Sequence, residues 1–177
     1  IARNPKNADV LFPYLNGEDL NSHPKQKPSR WIINFLDWPL ERSAEDSWVL
    51  ADDKQRSAYL HTGCVPKDYP GPVAADYPEC LEIVQKKVYP ERINNRDRQR
   101  REIWWRFTRP TVELYSTIAR LQRVLVVAIV SRTVAFTFVD KDQVYAHKLA
   151  VFATDKDSDF AVLQSSLHYH WAWQYSS

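Results

Sequence analysis

Methionine is absent from this 177-residue chain, and glycine and cysteine are scarce. A chain that opens on Ile1 without an initiator predicts a segment of a longer protein, and trimming of a short start is the alternative. Only three glycines occur, so the chain has no phosphate loop and no dinucleotide fingerprint, which need glycines at fixed spacing. Cys64 and Cys80 lack paired spacing, which favours free thiols over a disulfide framework or a zinc site.

Long apolar runs and a strong charge of one sign are also missing. No run approaches the roughly 18 apolar residues that span a bilayer, and the start does not resemble a signal peptide, so we expect a cytoplasmic protein. The formal net charge is only +2, far from that of a free-standing nucleic-acid binder. Any DNA contact must therefore come from a local patch or be shared with other domains.

Apolar and aromatic residues are plentiful. Hydrophobic residues make up 44% and charged residues 26% of the chain, which favours a packed core. We predict one domain over 1–177. The seven Trp, nine Tyr and seven Phe suit a core, a protein interface or a base-stacking surface, and composition does not decide among these.

The first half of the chain predicts few regular elements. Asn16-Gly17 indicates a turn, and 31–36 a buried strand. Prolines and glycines mark irregular loops over 41–76, with a small hairpin formed by 48–50 and 59–60. Helical spacing over 77–89 predicts a helix that begins near Pro78 and ends at Pro90.

The second half predicts a sheet followed by a helix. Two helical pieces, 103–107 and 112–121, divide at Pro110. Short β-branched and aromatic runs then predict the strands 123–129, 134–139, 143–145 and 149–152, with a turn at 140–142. A helix over 159–175, capped by Asp157 or Ser158, closes the chain. The predicted fold class is α+β, a curved antiparallel sheet flanked by helices.

Ordered sequence blocks cover nearly the whole chain. They lie at 13–21 (PYLNGEDLN), 30–35 (RWIINF), 37–41 (DWPLE), 88–92 (VYPER), 104–105 (WW), 123–126 (RVLV), 130–131 with 134–136 (VS and VAF) and 163–168 (LQSSLH). Together they resemble the target-recognition domain of MmeI-like bifunctional restriction enzymes and adenine-specific DNA methyltransferases. The closing sheet and helix are also similar to specificity domains of type I restriction systems.

The resemblance implies a division of labour within a bacterial type II restriction-modification enzyme. This piece would bind double-stranded DNA and choose the sequence. Methyltransferase and nuclease domains of the same polypeptide would perform adenine N6-methylation with S-adenosylmethionine and cleavage with Mg²⁺. The chain departs from the family pattern at 42–75, which we interpret as an insertion that is either neutral or adds DNA contacts.

Catalytic signatures are missing from the chain itself. It has no Asn/Asp-Pro-Pro-aromatic block to hold a flipped adenine and no Glu-x-Lys triplet for a Mg²⁺-dependent nuclease. His168 and His170 are two residues apart, which places them on different faces of a helix, so surface or capping roles are favoured over metal binding. We predict no catalytic residue, no metal and no cofactor here, and no enzymatic activity for the piece alone.

Candidate DNA contacts fall into two sets. Phosphate contacts are predicted from cations that bind phosphate oxygens: Lys25, Lys27, Arg30, Arg96, Arg98, Arg100 and Arg101. Base reading is predicted from exposed loop residues around the sheet: Arg132, Thr133, Lys141, Gln143, His147 and Lys148. The alternatives are a solvated helix face, laced by Glu91, Asp97 and Glu102, and ordinary hairpin solubility.

Other roles stay open beside DNA recognition. Trp104-Trp105, Trp171 and Trp173 have rings that stack on bases, although buried packing is favoured for them. A protein-interaction module that docks other domains through its aromatic surface is the first rival. A small hydrolase is the second, and the absence of a nucleophile–base pair argues against it.

Overall fold

The chain divides into two compact units, each built from two stretches of sequence. The computed structural model describes residues 4–107 and 111–175. Unit 1 comprises Ile1–Leu11 and Ile33–Pro110, and unit 2 comprises Phe12–Ile32 and Thr111–Ser177. Our prediction of one domain over 1–177 with an insertion at 42–75 stays a prediction.

The described residues form short strands and helices in a mixed α/β arrangement. The strands are β1 Leu11–Leu15, β2 Arg30–Ile33, β3 Glu41–Ala44, β4 Cys64–Pro66, β5 Val124–Ala128, β6 Phe136–Val139, β7 Val144–Tyr145 and β8 Leu149–Phe152. The helices are α1 Gly17–Ser22, α2 Asp53–Thr62, α3 Pro78–Lys87, α4 Tyr89–Ile93, α5 Arg98–Glu102, α6 Val112–Ile118, α7 Asp157–Leu163 and α8 Ser166–Tyr175. Short 3-10 helices cover Pro5–Val10 and Ala74–Asp76.

Unit 2 is organised around an antiparallel sheet in the order β6-β5-β8. The central strand β5 pairs Val126 with Thr137 on β6 and with Val151 on β8. Val124 and Val126 are fully buried in the core of the unit. The prediction of an antiparallel sheet at this position is confirmed. The strand β5 forms here because a run of β-branched residues suits a buried strand.

A second sheet of unit 2 was not predicted. It has the order β2-β1-β7, and β1 runs parallel to β7 with Tyr14 opposite Val144. The β6 and β7 strands therefore belong to different sheets, and 134–145 is not a hairpin. The pairing joins chain segments that are about 130 residues apart, which no local pattern can indicate.

The Asn16-Gly17 pair begins a helix instead of making a turn. Asn16 Oδ1 accepts hydrogen bonds from the backbone N–H groups of Glu18 (2.7 Å) and Asp19 (3.1 Å), and Asp19 Oδ2 accepts one from Asn16 N–H at 3.2 Å. This reciprocal capping box starts α1. The Asn-x-x-Asp spacing was the overlooked signal.

The predicted buried strand over 31–36 is wrong in extent and in burial. Strand β2 ends at Ile33, and Trp31 on this edge strand is 61% exposed. Asn34 Oδ1 accepts the Leu36 N–H at 2.9 Å, and Leu36 adopts a left-handed backbone with φ of +53°. An Asn side chain that bonds the backbone two residues on makes a turn, which ends the strand.

Unit 1 replaces the predicted hairpin over 48–60 with helix α2. Asp52 and Gln55 form a capping box at its start, and Gly63, with φ of +82°, ends it. Strand β3 pairs in parallel with β4, with Arg42 opposite Val65. The 42–75 segment also supplies buried residues, including Val65 and Val73.

The predicted helix over 77–89 is confirmed as α3, with Pro78 in its first turn. Its buried residues Cys80 and Val84 join a core cluster with Phe35 and Trp105. Pro90 does not end the helical region, because it lies in the first turn of α4. Proline is tolerated there because the first turn needs no N–H donor.

Three further expectations are corrected. Residues 103–107 form turns instead of a helix, and Pro110 lies outside the described residues. The predicted helix over 159–175 is two helices, α7 and α8, separated at Gln164. Asp157 and Ser158 lie inside the first turn of α7, whose N-cap position is Lys156.

Candidate nucleic-acid interface

Four of the six predicted base-reading residues lie at one end of the antiparallel sheet. We call the loop 129–135 and the turn 146–148 the loop end. The register pairs Ala128 with Leu149, and the Ile129 N–H donates to Lys148 O at 2.9 Å, so the two segments are adjacent. Arg132, Thr133, His147 and Lys148 are all exposed there.

Neighbouring side chains hold the 129–135 loop in place. Ser131 Oγ donates to Asn21 Oδ1 at 3.4 Å and accepts the Thr133 N–H at 3.3 Å. The Gln164 amide, between α7 and α8, accepts the Phe136 N–H at 2.8 Å and donates to Val134 O at 3.4 Å. Hydrogen bonds therefore hold the 129–135 loop near its middle and at the point where it enters β6.

The cations of the loop end are electrostatically available. Within the described residues, neither Arg132 nor Lys148 forms an ion pair, whereas Arg123 at the opposite end of β5 pairs with Asp157 at 2.6 Å. An exposed arginine without a carboxylate partner needs no bond broken before it contacts a phosphate or a guanine edge.

Lys141 and Gln143 do not join the loop end. They follow the C-terminal end of β6, whereas Arg132 precedes its N-terminal end. Lys141 Nζ donates to Ala119 O at 2.7 Å. Gln143 is only 4% exposed, so the expectation that it is exposed is wrong.

Gln143 instead lines a cleft of unit 2. The cleft has a volume of about 310 Å³. Its lining residues are Pro13, Lys25, Gln26, Lys27, Pro28, Phe138, Val139, Asp140, Asp142 and Gln143. Both lysines of the predicted basic loop thus line a concavity.

The basic loop is attached to the sheet beside the cleft. Thr137 Oγ1 on β6 donates to Gln26 Oε1 at 2.6 Å, and Gln26 has a left-handed backbone with φ of +50°. A hydrogen bond from the Gln26 N–H to His23 O at 2.9 Å closes the turn. Arg30, beyond the loop, makes an exposed ion pair with Glu18 at 3.7 Å.

The floor of the cleft contains an unsatisfied amide. Gln143 Nε2 is buried and has no partner that meets both the distance and the angle of a hydrogen bond among the described residues. Burial raises the pKa of the Tyr145 phenol, and a weaker interaction with the Gln143 amide opposes that rise. The Tyr145 hydroxyl donates its own hydrogen bond to Asp140 O at 2.7 Å. A buried donor without a partner costs roughly 1–3 kcal/mol, so an acceptor brought into the cleft is favoured.

The predicted phosphate-binding arginines of unit 1 surround α5 and are exposed. Arg98 pairs with Glu102 at 2.6 Å and Arg100 with Asp97 at 3.6 Å. Arg101 donates to the carbonyl oxygens of Asn95 (2.6 Å) and Arg96 (3.1 Å). These are the local pairs that the solvated-face alternative expects, and phosphate contact stays a prediction.

Arg92 and Arg106 in the same region have structural roles. Arg92 donates to the backbone carbonyls of Trp104 and Arg106, and burial lowers the pKa of its guanidinium. Arg106 donates to Asp37 O at 2.6 Å, and burial lowers its pKa as well. Their hydrogen bonds to backbone oxygens leave them unsuited to phosphate.

The tryptophans separate into buried and exposed pairs. Trp105 is 4% exposed and donates from Nε1 to Trp38 O at 3.0 Å, and Trp104 packs against the same core. Trp171 and Trp173 on α8 are 61% and 56% exposed, so buried packing is wrong for them.

The histidines show no metal constellation. His168 Nδ1 lies 2.6 Å from Leu163 O, and its ring lies against Phe136, whereas His170 is exposed. No group of three or more His, Cys, Asp or Glu side chains within the described residues is arranged to hold a metal ion. Cys64 and Cys80 are free thiols.

Sequence reasoning overlooked Asp140 and Asp142 as cleft residues. Asp140 Oδ1 accepts the Asp142 N–H at 3.0 Å, which is the turn that the sequence predicts. The additional consequence, that both carboxylates line a cleft with Lys25 and Lys27, depends on the loop after α1 lying beside β6. No local pattern carries that information.

Comparisons with family models, with curated proteins and with solved structures found no match for the chain. Among the residues that the structure describes, no helix has both the length and the apolar character needed to cross a membrane. The functional argument therefore depends on the residues and their geometry.

Proposed function

We propose that this chain is the sequence-specific DNA recognition module of a bifunctional restriction-modification enzyme. In this proposal it directs adenine N6-methylation and cleavage that other domains perform with S-adenosylmethionine and Mg²⁺. The observation that carries the proposal is the loop end, where Arg132, Thr133, His147 and Lys148 are exposed together beside one end of the antiparallel sheet. The ordered sequence blocks support the choice of enzyme class.

The chemistry of the loop end suits the major groove. Arginine reads guanine through O6 and N7, whereas threonine and histidine form single hydrogen bonds to base edges. Lys148 is suited to a phosphate or to guanine. A tied loop on a sheet supports this role because base reading needs side chains in a fixed register.

Selection from a pool of random duplexes tests the proposal. The full chain is expected to enrich one sequence motif and to lose affinity steeply as salt rises, because phosphate binding releases counterions. Failure to enrich any motif at low salt contradicts sequence-specific recognition.

Two substitutions separate base reading from phosphate binding. Arg132→Ala is expected to relax one position of the motif at a cost of about 1–3 kcal/mol in binding free energy. Lys87→Ala, at an exposed lysine of α3, is the control. Lys148→Ala, if that lysine binds phosphate, is expected to weaken all sequences alike and to reduce the salt slope by about 1. An unchanged motif after Arg132→Ala contradicts the assigned role.

A protein-interaction module remains the second candidate, and helix α8 favours it. Leu167, Trp171, Trp173 and Tyr175 are each more than half exposed on this helix. Exposed apolar clusters of this kind mark protein interfaces. Tight binding to a partner domain, together with no duplex affinity at low salt, favours this function over DNA recognition.

A further inference from the structure

The cleft of unit 2 combines three kinds of group that seldom share one small concavity. Lys25 and Lys27 supply positive charge, Asp140 and Asp142 supply negative charge, and Gln143 supplies a buried amide. A ligand with the same charge over its whole surface is repelled by half of this lining. The lining instead fits a ligand with an anionic group at one end and hydrogen-bond donors and acceptors at the other.

We propose that this cleft binds one nucleotide, with guanine the preferred base. The nucleotide is either a free mononucleotide or one unstacked from a DNA strand, since both present the same phosphate and base edge. The choice of a nucleotide over other amphoteric ligands rests on the proposed function. The cleft itself lies at the C-terminal end of β6, away from the loop end at the N-terminal end.

The lysines are assigned to the phosphate. Both are exposed, and neither has an ion-pair partner within 4 Å among the described residues. They are two residues apart on one short loop, and Thr137 anchors that loop through Gln26. Two ammonium groups so placed bind a phosphate dianion as point charges, and that contact weakens as salt rises.

Asp142 and Gln143 are assigned to the base. Guanine is the DNA base whose pairing edge carries two adjacent donors, N1–H and the N2 amino group, beside the O6 acceptor. The Asp142 carboxylate, whose oxygens accept no hydrogen bond from a described group, can accept both donors in parallel. The Gln143 amide would donate to O6 and gain the partner that its Nε2 lacks.

Size and apolar surface agree with this assignment. The cleft volume of about 310 Å³ lies at the lower end of the range of roughly 300–1,000 Å³ for small-ligand sites. Pro13 and Pro28 offer apolar surface to the faces of a base. Phe138 is not assigned to stacking, because the Arg123 guanidinium lies 3.7 Å from its ring centroid.

Calorimetric titration of the full chain with each deoxynucleoside monophosphate tests the proposal. We expect dGMP to bind more tightly than dAMP, dCMP or dTMP at low salt. Gln143→Leu is expected to weaken dGMP binding roughly two- to tenfold through the loss of one hydrogen bond. Asp142→Asn is expected to remove the preference for guanine.

Control variants, and one variant that changes only exposed side chains, accompany this titration. Gln99→Leu and Lys54→Ala, at exposed sites of unit 1, are expected to leave binding unchanged. The double variant Lys25→Ala/Lys27→Ala changes only exposed side chains, so it tests the phosphate contact without threatening the core. It is expected to weaken dGMP binding and to reduce its salt dependence.

Inorganic phosphate and DNA duplexes complete the test. Phosphate that binds as tightly as dGMP overturns the proposal, because the lysines then hold an anion without any base recognition. A duplex with one guanine opposite an abasic site is expected to displace dGMP if strands supply the nucleotide. If no duplex displaces dGMP, the natural ligand is the free nucleotide.

The outcomes for the cleft and for the proposed function are separable. Undetectable dGMP binding at millimolar concentration, or binding that neither cleft variant alters, overturns the cleft assignment. Motif enrichment from the duplex pool can persist in that case through the loop end. Conversely, dGMP binding without motif enrichment retains the cleft and removes the recognition module.

Discussion

Gly63 shows how a single residue determines the local path of the chain. It ends α2 with φ of +82°, and its carbonyl oxygen accepts hydrogen bonds from the N–H groups of Leu40 (2.8 Å) and Glu41 (3.1 Å). A Cβ at this position would overlap the six-membered ring of Trp105, which is buried. The position therefore requires glycine for its backbone conformation and for its lack of a side chain.

Replacement of this glycine is expected to be costly. Gly63→Ala should lower the free energy of unfolding by about 2–4 kcal/mol, through left-handed strain and overpacking against Trp105. Urea denaturation measures the change. The control is Gly17→Ala, where the nearest atom would be 3.9 Å away, and it should change stability little. Equal effects of the two substitutions contradict this account.

Arg42 and Asp76 connect the 42–75 segment to the rest of unit 1. Arg42 donates from Nη1 to Asp76 Oδ1 at 2.7 Å and from Nη2 to Oδ2 at 3.1 Å, and also to Gly71 O at 2.7 Å. Their side chains are 28% and 24% exposed. The hydrogen bonds from Arg42 lower the pKa of the Asp76 carboxyl below its ordinary 3.8.

This ion pair predicts a pH dependence of stability. Because the pKa of Asp76 is lower in the folded protein than in the unfolded chain, its contribution is fully present above about pH 4. It is lost as the pH falls through the folded pKa. Arg42→Met should remove this acid-sensitive contribution and lower the free energy of unfolding at pH 7 by about 2–3 kcal/mol.

Urea denaturation between pH 2 and pH 7 measures both effects. Arg98→Met removes the exposed pair with Glu102 and should change stability much less than Arg42→Met, because solvent screens an exposed ion pair. A loss at Arg42 no larger than that at Arg98 contradicts the assigned stabilisation.

At the scale of elements, the break between α7 and α8 positions the loop end. Gln164 lies in that break, and its amide bonds the backbone at Val134 and Phe136, where the 129–135 loop enters β6. In a continuous helix over 159–175, Gln164 would lie in the middle of the helix. In the observed structure it follows the end of α7, and its side chain contacts the start of β6. The break therefore has a structural consequence for Arg132 and Thr133.

Gln164→Ala tests that connection. Loss of the bond to the Phe136 N–H should speed hydrogen exchange at this amide by roughly two- to tenfold. Since the loop is then less fixed, DNA selectivity should fall more than total affinity. Gln122→Ala, at an exposed residue before β5, serves as the control. Unchanged exchange at Phe136 excludes a positioning role for Gln164.

At the scale of the whole molecule, two separate cores stabilise the two units. Val10 and Phe35 belong to the cluster of unit 1, and Val126 and Leu15 belong to that of unit 2. Each cluster is built from residues distant in sequence, because each unit takes two stretches of the chain. Burial of apolar area is the main stabilising contribution in both.

Matched substitutions in the two cores should accelerate hydrogen exchange in different units of the chain. Val10→Ala and Val126→Ala each remove two methyl groups from a fully buried side chain, at a cost of about 2 kcal/mol. Hydrogen exchange should accelerate first in unit 1 for Val10→Ala and first in unit 2 for Val126→Ala. Equal acceleration throughout the chain for both variants contradicts separate cores.

The sequence alone determined the elements whose signals are local. The β-branched run of β5 and the helical spacing of α3 between two prolines specify their structure through contacts within a few residues. The same holds for the exposure of Arg132 and Thr133 in a loop between two apolar strands. Local capping also specifies α1 and α2, and there the signal was present but overlooked.

Only the tertiary structure decided which of these pieces meet. The parallel pairing of β1 with β7, the burial of Gln143 and the shared cleft of Lys25 and Asp142 join segments more than 100 residues apart. Long-range contacts form because they bury area and satisfy hydrogen bonds for the whole chain, and no short pattern encodes that balance. The loop end and the cleft are for this reason properties of the folded protein.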